Sequence, residues 1–344
     1  MDRDRAFPTT ASLRGLTRGL LTLSLLLGVG GCDFSVTNPG RSADAELDDP
    51  AARAPLVSGM KAALSSALWR VSFVGAEVTR EYVQGGRIFT TKLPTRSGQL
   101  TREDISSAFW NYAVRARWIA EDGIRRFREH DPDFDRSESS AEALIYAGFA
   151  NRLLGENFCE AVIDGGAPEP RTVYFDRAER HFTEALGIAT SIGRTDLAEI
   201  ARAGRATVRV HLGDWDGAVG DASEIGDEFV FQAEALLRKG DATGALAIIN
   251  RLRSTLVSDH DGRPLGLRPE TTDLEEAWTY LKEERAIELW LEGRRLGDIR
   301  RWTIEGVPGR SEDLSDRVRL CFPIAQSEID TNPNIELQHD DPRI

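Results

Sequence analysis

Three short stretches repeat one apolar spacing, and that spacing limits this chain to a largely helical fold. "YFDRAERHFTEAL" sets Phe175, Ala178, Phe182 and Ala185 three, four and three residues apart. "DWDGAVGDASEI" repeats the pattern with Trp215, Ala218, Ala222 and Ile225, and "DATGALAIINRL" with Ala242, Ala245, Ile249 and Leu252. A helix turns once in 3.6 residues, so each set lies along one face. The small alanine near each start admits a neighbouring helix closely, and the larger residues fill the gap beyond it. "HLGD" and "RKGD" precede the last two stretches, where glycine can end one helix and aspartate cap the next. Ala178 and Ala218 are 40 residues apart, whereas Ala218 and Ala245 are 27 apart, which argues against a regular solenoid. The expected fold is mostly all-α, an irregular helical-repeat scaffold with hairpins over about 140–256 and long loops on one side.

Each stretch resembles the second helix of a tetratricopeptide hairpin. Strand-like alternation is scarce. The main loop or extended region runs from Thr79 to Thr101 and is punctuated by Gly85, Gly86, Pro94 and Gly98. Two further connections, 164–172 and 257–272, are rich in Gly and Pro, and the last forty residues read as irregular.

The N-terminus speaks to location. Arg3, Arg5, Arg14 and Arg18 precede the apolar run Leu20 to Leu27. That run is far shorter than the ~20 residues of a spanning helix, so residues 1–31 read as a secretory signal. The "GVGGC" that follows resembles the lipobox of bacterial lipoproteins, in which the cysteine, here Cys32, is acylated and becomes the new N-terminus. Residues 33–50 are polar and without period, so 32–50 reads as a lipidated tether and 51–344 as a single helical domain. Removing residues 1–31, with four Arg and two Asp, takes the formal net charge from -13 to -15. Such an acidic chain lacks the basic footprint that phosphate binding requires, which argues against nucleic acid as a partner. Cys159 and Cys321 can pair in an oxidising compartment, but each sits among apolar neighbours, and two separate buried thiols are the favoured reading.

Catalytic signatures are missing: there is no Gly-x-Ser-x-Gly elbow, phosphate loop, His-Glu-x-x-His or Cys-x-x-Cys. Histidines 181 and 211 fall on helices, where packing is their ordinary role. "ERAIELWLEGRRLGDIRRW" carries charge on nine of its nineteen residues, Glu284 to Trp302. A glycosidase needs two acids facing one cleft. On one helix Glu284, Glu288 and Glu292 form a single row instead, with Glu292 near Arg295 and Arg294 near Asp298. The expectation is a packed helix with an ionic coat, an apolar stripe of Ile287, Trp290, Leu291 and Ile299, and no ligand contact.

Two non-catalytic sites stand as candidates. "DPDFDRSESSAE" offers Asp131, Asp133, Asp135, Ser137 and Glu142 at calcium-loop positions, although Arg136 replaces the usual turn glycine. The competing reading is an acidic loop in which Ser139 or Ser140 caps the next helix. No other cofactor is expected. Among the N-terminal aromatics Trp69, Phe73, Tyr82, Phe89, Trp110 and Tyr112, flat rings suit sugar faces and other apolar ligands. Tyr82, Arg87 and Phe89 in the glycine-punctuated loop, with Trp69, are the candidate ligand contacts. Trp110 and Trp118 lie eight apart on a periodic helix, which suggests core packing for both.

"LKEERAIELWLEGRRLGDIRRW" resembles the C-terminal signature of the SusD/RagB family of outer-membrane nutrient-binding lipoproteins. The match runs through Glu284, Arg285, Glu288, Leu289, Glu292, Gly293, Arg294, Asp298, Arg301 and Trp302, with Ile299 in place of the usual Leu. The ending "FPIAQSEIDTNPNI" is similar to the family's through Pro323, Ile324, Glu328, Ile329, Asn332 and Pro333, with Ala325 where a second proline is common, so the signature spans 281–335. "EALLRKGDATGALAIINRLRS" resembles its last repeat hairpin, and the lipobox resembles its N-terminus. Together these cover nearly all of the chain after Cys32. The resemblance implies a non-enzymatic lipoprotein on the outer face of the outer membrane. It would sit over a SusC-like TonB-dependent transporter and pass oligosaccharide or peptide to it. The chain departs from the family at 226–231, where "GDEFVF" replaces a long segment that often helps form the binding face. That shortening keeps open an alternative, a helical-repeat scaffold that organises envelope protein complexes.

If Cys32 carries the lipid, Cys32→Ala releases the protein from the membrane fraction; membrane attachment that survives the substitution contradicts the lipobox reading.

Overall fold

The computed structural model describes residues 43–82, 101–105, 109–225, 230–258 and 260–336. The helical unit starts at Ala45 and runs to the C-terminus. The 3-10 segments Asp44–Asp48 and Pro50–Ala52 precede the first helix, Asp49 accepts the Ala51 N–H at 2.8 Å, and Asp48 pairs with Arg126 at 2.8 Å.

The helices are α1 (Arg53–Val78), α2 (Asn111–His130), α3 (Glu138–Asn157), α4 (Thr172–Ser191), α5 (Thr195–Leu212) and α6 (Trp215–Ser223). They continue as α7 (Val230–Arg238), α8 (Ala242–Thr255), α9 (Leu274–Glu288), α10 (Arg295–Ile304) and α11 (Gln326–Thr331). Successive helices pack mainly against their neighbours, as a repeat architecture requires. Closure comes from α10, which returns across the fold to α1 and α3. Among the described residues the only paired strands are the short antiparallel pair β1 (Glu160–Ala161) and β2 (Glu169–Pro170).

The repeat spacing is met in full on α4 and in part on the other two, where Trp215 and Leu252 are only half-buried and Ile225 lies beyond the end of α6. Phe175, Ala178, Phe182 and Ala185 are buried on α4, Ala218 and Ala222 on α6, and Ala242, Ala245 and Ile249 on α8. Phe182 shows why the partner helices carry glycine. A Cβ at Gly148 or Gly204 would come within 2.7 or 2.5 Å of its ring, so α3 and α5 close on α4 only where no side chain intervenes. The caps also follow the sequence. Gly213 and Gly240 adopt φ of 77° and 81°, while Asp214 and Asp241 accept the N–H of Gly217 and Gly244 at 3.0 and 2.8 Å. Each aspartate thereby satisfies one donor left open at a helix start.

The expectation of separate thiols is overturned: Cys159 and Cys321 form a disulfide. Phe158 and Phe322 align as a parallel bridge. The Phe322 N–H donates to the Asn157 carbonyl at 2.7 Å and the Cys159 N–H to the Phe322 carbonyl at 2.9 Å. This backbone pairing brings the two Cα atoms to 5.1 Å, within disulfide reach. Apolar neighbours do not disfavour the bond, because Trp110, Phe158 and Phe322 stack edge-to-face in the same cluster, at 5.1 and 5.4 Å between centroids. The bond joins residues 162 apart, a constraint on the unfolded chain worth on the order of 5 kcal/mol in the loop-entropy account.

The charged stretch Glu284 to Trp302 is not one helix with an ionic coat. It breaks after Glu288, and α10 starts at Arg295. Gly293 in the break has φ 72°, and a Cβ there would meet the Ser72 hydroxyl at 2.5 Å. Leu291 also has positive φ, 60°, a strained conformation for a branched side chain. Its N–H is held by a Glu81 carboxylate oxygen at 2.9 Å. Ile287 and Trp290, expected in the apolar stripe, are 52% and 58% exposed, while Ile299 is buried.

The charges turn inward. Arg301 donates through both terminal nitrogens to Glu234 of α7, and the Trp302 indole N–H reaches the same carboxylate at 2.9 Å. Arg301 also contacts Asp298 at 3.3 Å, and Asp298 is held by Arg285 at 2.7 and 2.9 Å. All five side chains are buried. Burial alone would raise the Glu234 pKa, but Arg301, Arg285 and Trp302 outweigh it and hold the carboxyl well below its usual range. The expected near-neighbour pairs give way to long-range ones: Arg294 pairs with Glu156 at 2.9 Å and Arg295 approaches Glu312 at 3.9 Å.

Removing one member of such a network strands the rest in a dry interior. Glu234→Met is expected to cost about 3–5 kcal/mol in urea unfolding. The double change Glu234→Met with Arg301→Met should recover part of that loss; a double variant as unstable as the sum of the singles would show that the two side chains are not coupled.

Candidate functional site

A cleft of about 670 Å³ opens between the early hairpins and the α7–α10 helices, within the size range of small-molecule sites. One wall is Phe149 and Arg152 of α3 with Ile200, Ala203 and Thr207 of α5. The other is Val230 and Phe231 of α7 with Arg251 and Leu252 of α8. The floor is Arg285, Glu288 and Leu289 of α9 and its end, with Glu292 and Arg294 of the break. The helix break therefore brings part of the family-like signature to the cleft. α7 begins at the cleft wall with Val230.

Glu156, on the last turn of α3, organises the charge behind the Arg152 wall. One of its oxygens takes Arg294 at 2.9 Å and His211 at 3.1 Å, with Arg152 at 3.8 Å. Burial pushes Glu156 up, but Arg294, Arg152 and His211 bring it down to about 2. Burial takes His211 down to about 4 despite the opposing pull of Glu156, so the imidazole is neutral and its Nε2–H donates to the carboxylate. The ring lies flat on Phe175, 4.6 Å between centroids, which makes it a packed core histidine. Two guanidiniums thus share one carboxylate. Burial and the adjacent Arg294 lower Arg152 to about 10, and its Nε has no hydrogen-bond partner. Its guanidinium lies over the Phe149 ring at 4.8 Å. At the floor, burial and then Glu284 raise the pKa of Glu288.

The N-terminal candidates are dispersed. Trp69 is 65% exposed and has the Arg70 guanidinium 5.1 Å from its ring; the same guanidinium covers Tyr112 at 3.9 Å. Tyr82 is half-buried against Phe73, with centroids 5.3 Å apart. Arg87, Phe89 and Cys32 lie outside the described residues. Trp110 is buried, as its spacing suggested, but Trp118 is 53% exposed. Trp290, read from sequence as core, donates its indole N–H to the Glu81 carbonyl at 3.5 Å, beside Tyr82. No sequence signal separated it from its helical neighbours, since only the chain break turns it outward.

The acidic loop folds around its own chain. Asp131 is buried and pairs with Arg53 at 3.1 Å, and its other oxygen accepts the Asp133 N–H at 3.0 Å. Among the described residues no group of three or more His, Cys, Asp or Glu is placed to hold a metal ion, so Asp131, Asp133, Asp135 and Glu142 do not converge. Ser139 and Ser140 lie inside α3, and the cap position falls to Ser137, whose side chain makes no capping bond.

Residues 226–319, which include α7 through α10, match the SusD family model. This is narrower than the resemblance read from the sequence. The fold resembles a crystal structure described as a SusD superfamily protein from Bacteroides vulgatus ATCC 8482, with a TM-score of 0.62 and 12% identity. That likeness covers 81% of this chain and 98% of the other. No curated protein matches the chain.

His211 makes the fold acid-sensitive in a definite window. Its folded pKa of about 4 lies below the ordinary 6.5, so the unfolded chain binds more protons between these values and stability falls as pH drops through them. Glu156, at about 2 in the fold, extends the loss to lower pH. In His211→Gln the fall in unfolding free energy between pH 7 and 4 should shrink; an unchanged slope would assign the acid sensitivity to other groups.

Proposed function

We propose that this chain is a nutrient-binding lipoprotein of the outer membrane, anchored through Cys32 and facing the exterior, that passes its ligand to a SusC-like TonB-dependent transporter. The observation that carries this reading is the match of residues 226–319 to the SusD family model, because that segment also supplies one wall and the floor of the cleft. The helical-repeat fold it shares with a SusD superfamily structure supports the same reading. Residues 1–31 are the signal peptide, residues after Cys32 form a short tether, and the rest is one helical domain. Among the described residues no helix is long and apolar enough to cross a membrane, which leaves the lipid as the proposed attachment.

The protein acts by binding rather than by turnover. The acids that resembled a glycosidase pair are placed for other work: Glu284 is buried against Arg253 and Arg268 at 2.7 and 3.4 Å. Trp69, Tyr82, Arg87 and Phe89 remain the proposed ligand-facing residues of the N-terminal region, and Trp290 joins Tyr82 on that surface.

Affinity purification of the full-length chain from detergent-solubilised outer membranes should recover a large TonB-dependent barrel. Recovery of envelope-assembly proteins without such a barrel would favour the scaffold alternative instead.

A further inference from the structure

Two arginines at the carboxyl end of α3 are held without an acid. Arg171, the residue before α4, donates to the Gly155 carbonyl at 3.1 Å, and Arg300 of α10 donates to the Phe158 carbonyl at 3.0 Å. Arg300 is 8% exposed, and among the described residues neither guanidinium pairs with a carboxylate. A carbonyl takes one of the five guanidinium donors and supplies no net charge. The helix dipoles do not supply it either: the end of α3 offers about half a negative charge, and the start of α4 at Thr172 about half a positive one. Burial, and then Arg171 beside it, bring Arg300 down to about 9, with no acid acting in opposition. Arg171 is lowered by burial and by Arg301. Glu305 and Glu156 oppose this, but Glu305 is already paired with Arg238 and Glu156 with Arg294. Around the two arginines the balance is no better. Arg238, Arg285 and Arg301 match Glu234, Asp298 and Glu305, while Arg152 and Arg294 have only Glu156 between them. Guanidiniums withdrawn from water in excess of their acids call for an ion that completes them.

We propose that Arg171 and Arg300 bind a compact tetrahedral oxyanion, phosphate or sulfate, where α4 and α10 both pack on α3. Each guanidinium keeps donors beyond the one given to its carbonyl, and the planar fork of arginine suits the paired oxygens of such an ion. Because Arg300 is buried, the ligand is a free ion rather than a lipid headgroup, whose glycerol would have to follow the phosphate inward. Neither arginine lines the cleft, so the site stands apart from it and does not depend on the nutrient-binding reading.

The test is scanning calorimetry of the detergent-solubilised full chain in roughly 10 mM phosphate, in sulfate, and in chloride, at one pH and matched ionic strength. Phosphate or sulfate should raise the wild-type Tm by about 2–4 °C over chloride. The difference should vanish in Arg300→Gln and in Arg171→Gln. Each variant is compared with itself across the salts, so a change in its basal stability does not enter. If Arg300→Gln fails to fold, Arg300→Lys takes its place, with a reduced difference expected because lysine lacks the fork. Equal wild-type Tm in all three salts overturns the proposal. So does a difference that survives in Arg171→Gln, which would mark the general stabilisation by excluded salts and leave the arginines as caps of the α3 carbonyls. A rise with dihexanoylphosphatidic acid but not with either inorganic ion overturns the free-ion site and assigns the arginines to a lipid headgroup.

Discussion

The fold depends on one buried electrostatic network, Glu234 with Arg301, Asp298 and Arg285. Helical hairpins that pack only on their neighbours leave an open end, and here α10 closes it by returning to α1 and α3. Arg301 and Trp302 of α10 both bond to Glu234 of α7, while Asp298 ties α10 to Arg285 of α9. Three helices are thereby fixed by side chains with no water to replace a lost partner. Buried ion pairs add little net stability over apolar packing, but a broken one is costly. The network's consequence is therefore geometric: it admits one register of α10 against α7 and α9.

That register places the helix break. Between α9 and α10 the chain turns over Leu289 to Arg294, and the turn is secured from outside by Glu81 and Glu156. Burial raises the Glu81 pKa even though the Leu291 N–H opposes it, a sign that this carboxylate is drawn from water to hold strained backbone. The same turn delivers Glu288, Leu289 and Glu292 to the cleft and Trp290 to the surface beside Tyr82. A structural device and the floor of the cleft thus share one short segment. The disulfide adds a second closure, fixing the C-terminal tail to the end of α3, where Glu328 accepts the Trp110 indole N–H at 3.1 Å.

Much of the helical scaffold could be read from residue order because its determinants are local. The three-four-three spacing, the Gly-Asp caps and the small residues at close crossings act within a turn or two of helix, and the structure follows them. The candidate site was far less legible. Ile287 and Trp290 kept helical spacing with their neighbours, so only the break shows that they face solvent. Arg294 looked like a partner for Asp298 four residues on, but Glu156 from α3 competes for it and wins. The thiols illustrate the same limit, since apolar neighbours say that a cysteine is buried and nothing about what lies across from it.

By itself the sequence determined that the chain is mostly helical, where several helices begin and end, and that charge would crowd the stretch before Trp302. Tertiary structure decided which charges meet, where that stretch breaks, that Cys159 pairs with Cys321, and which wall of the fold becomes a cleft. The division has a physical cause. Helix propensity and capping are set by residues within four positions of one another, whereas a buried charge takes whichever partner the whole chain brings within reach when it leaves water. Glu234 found Arg301 at a separation of 67 residues, a choice that no local pattern encodes.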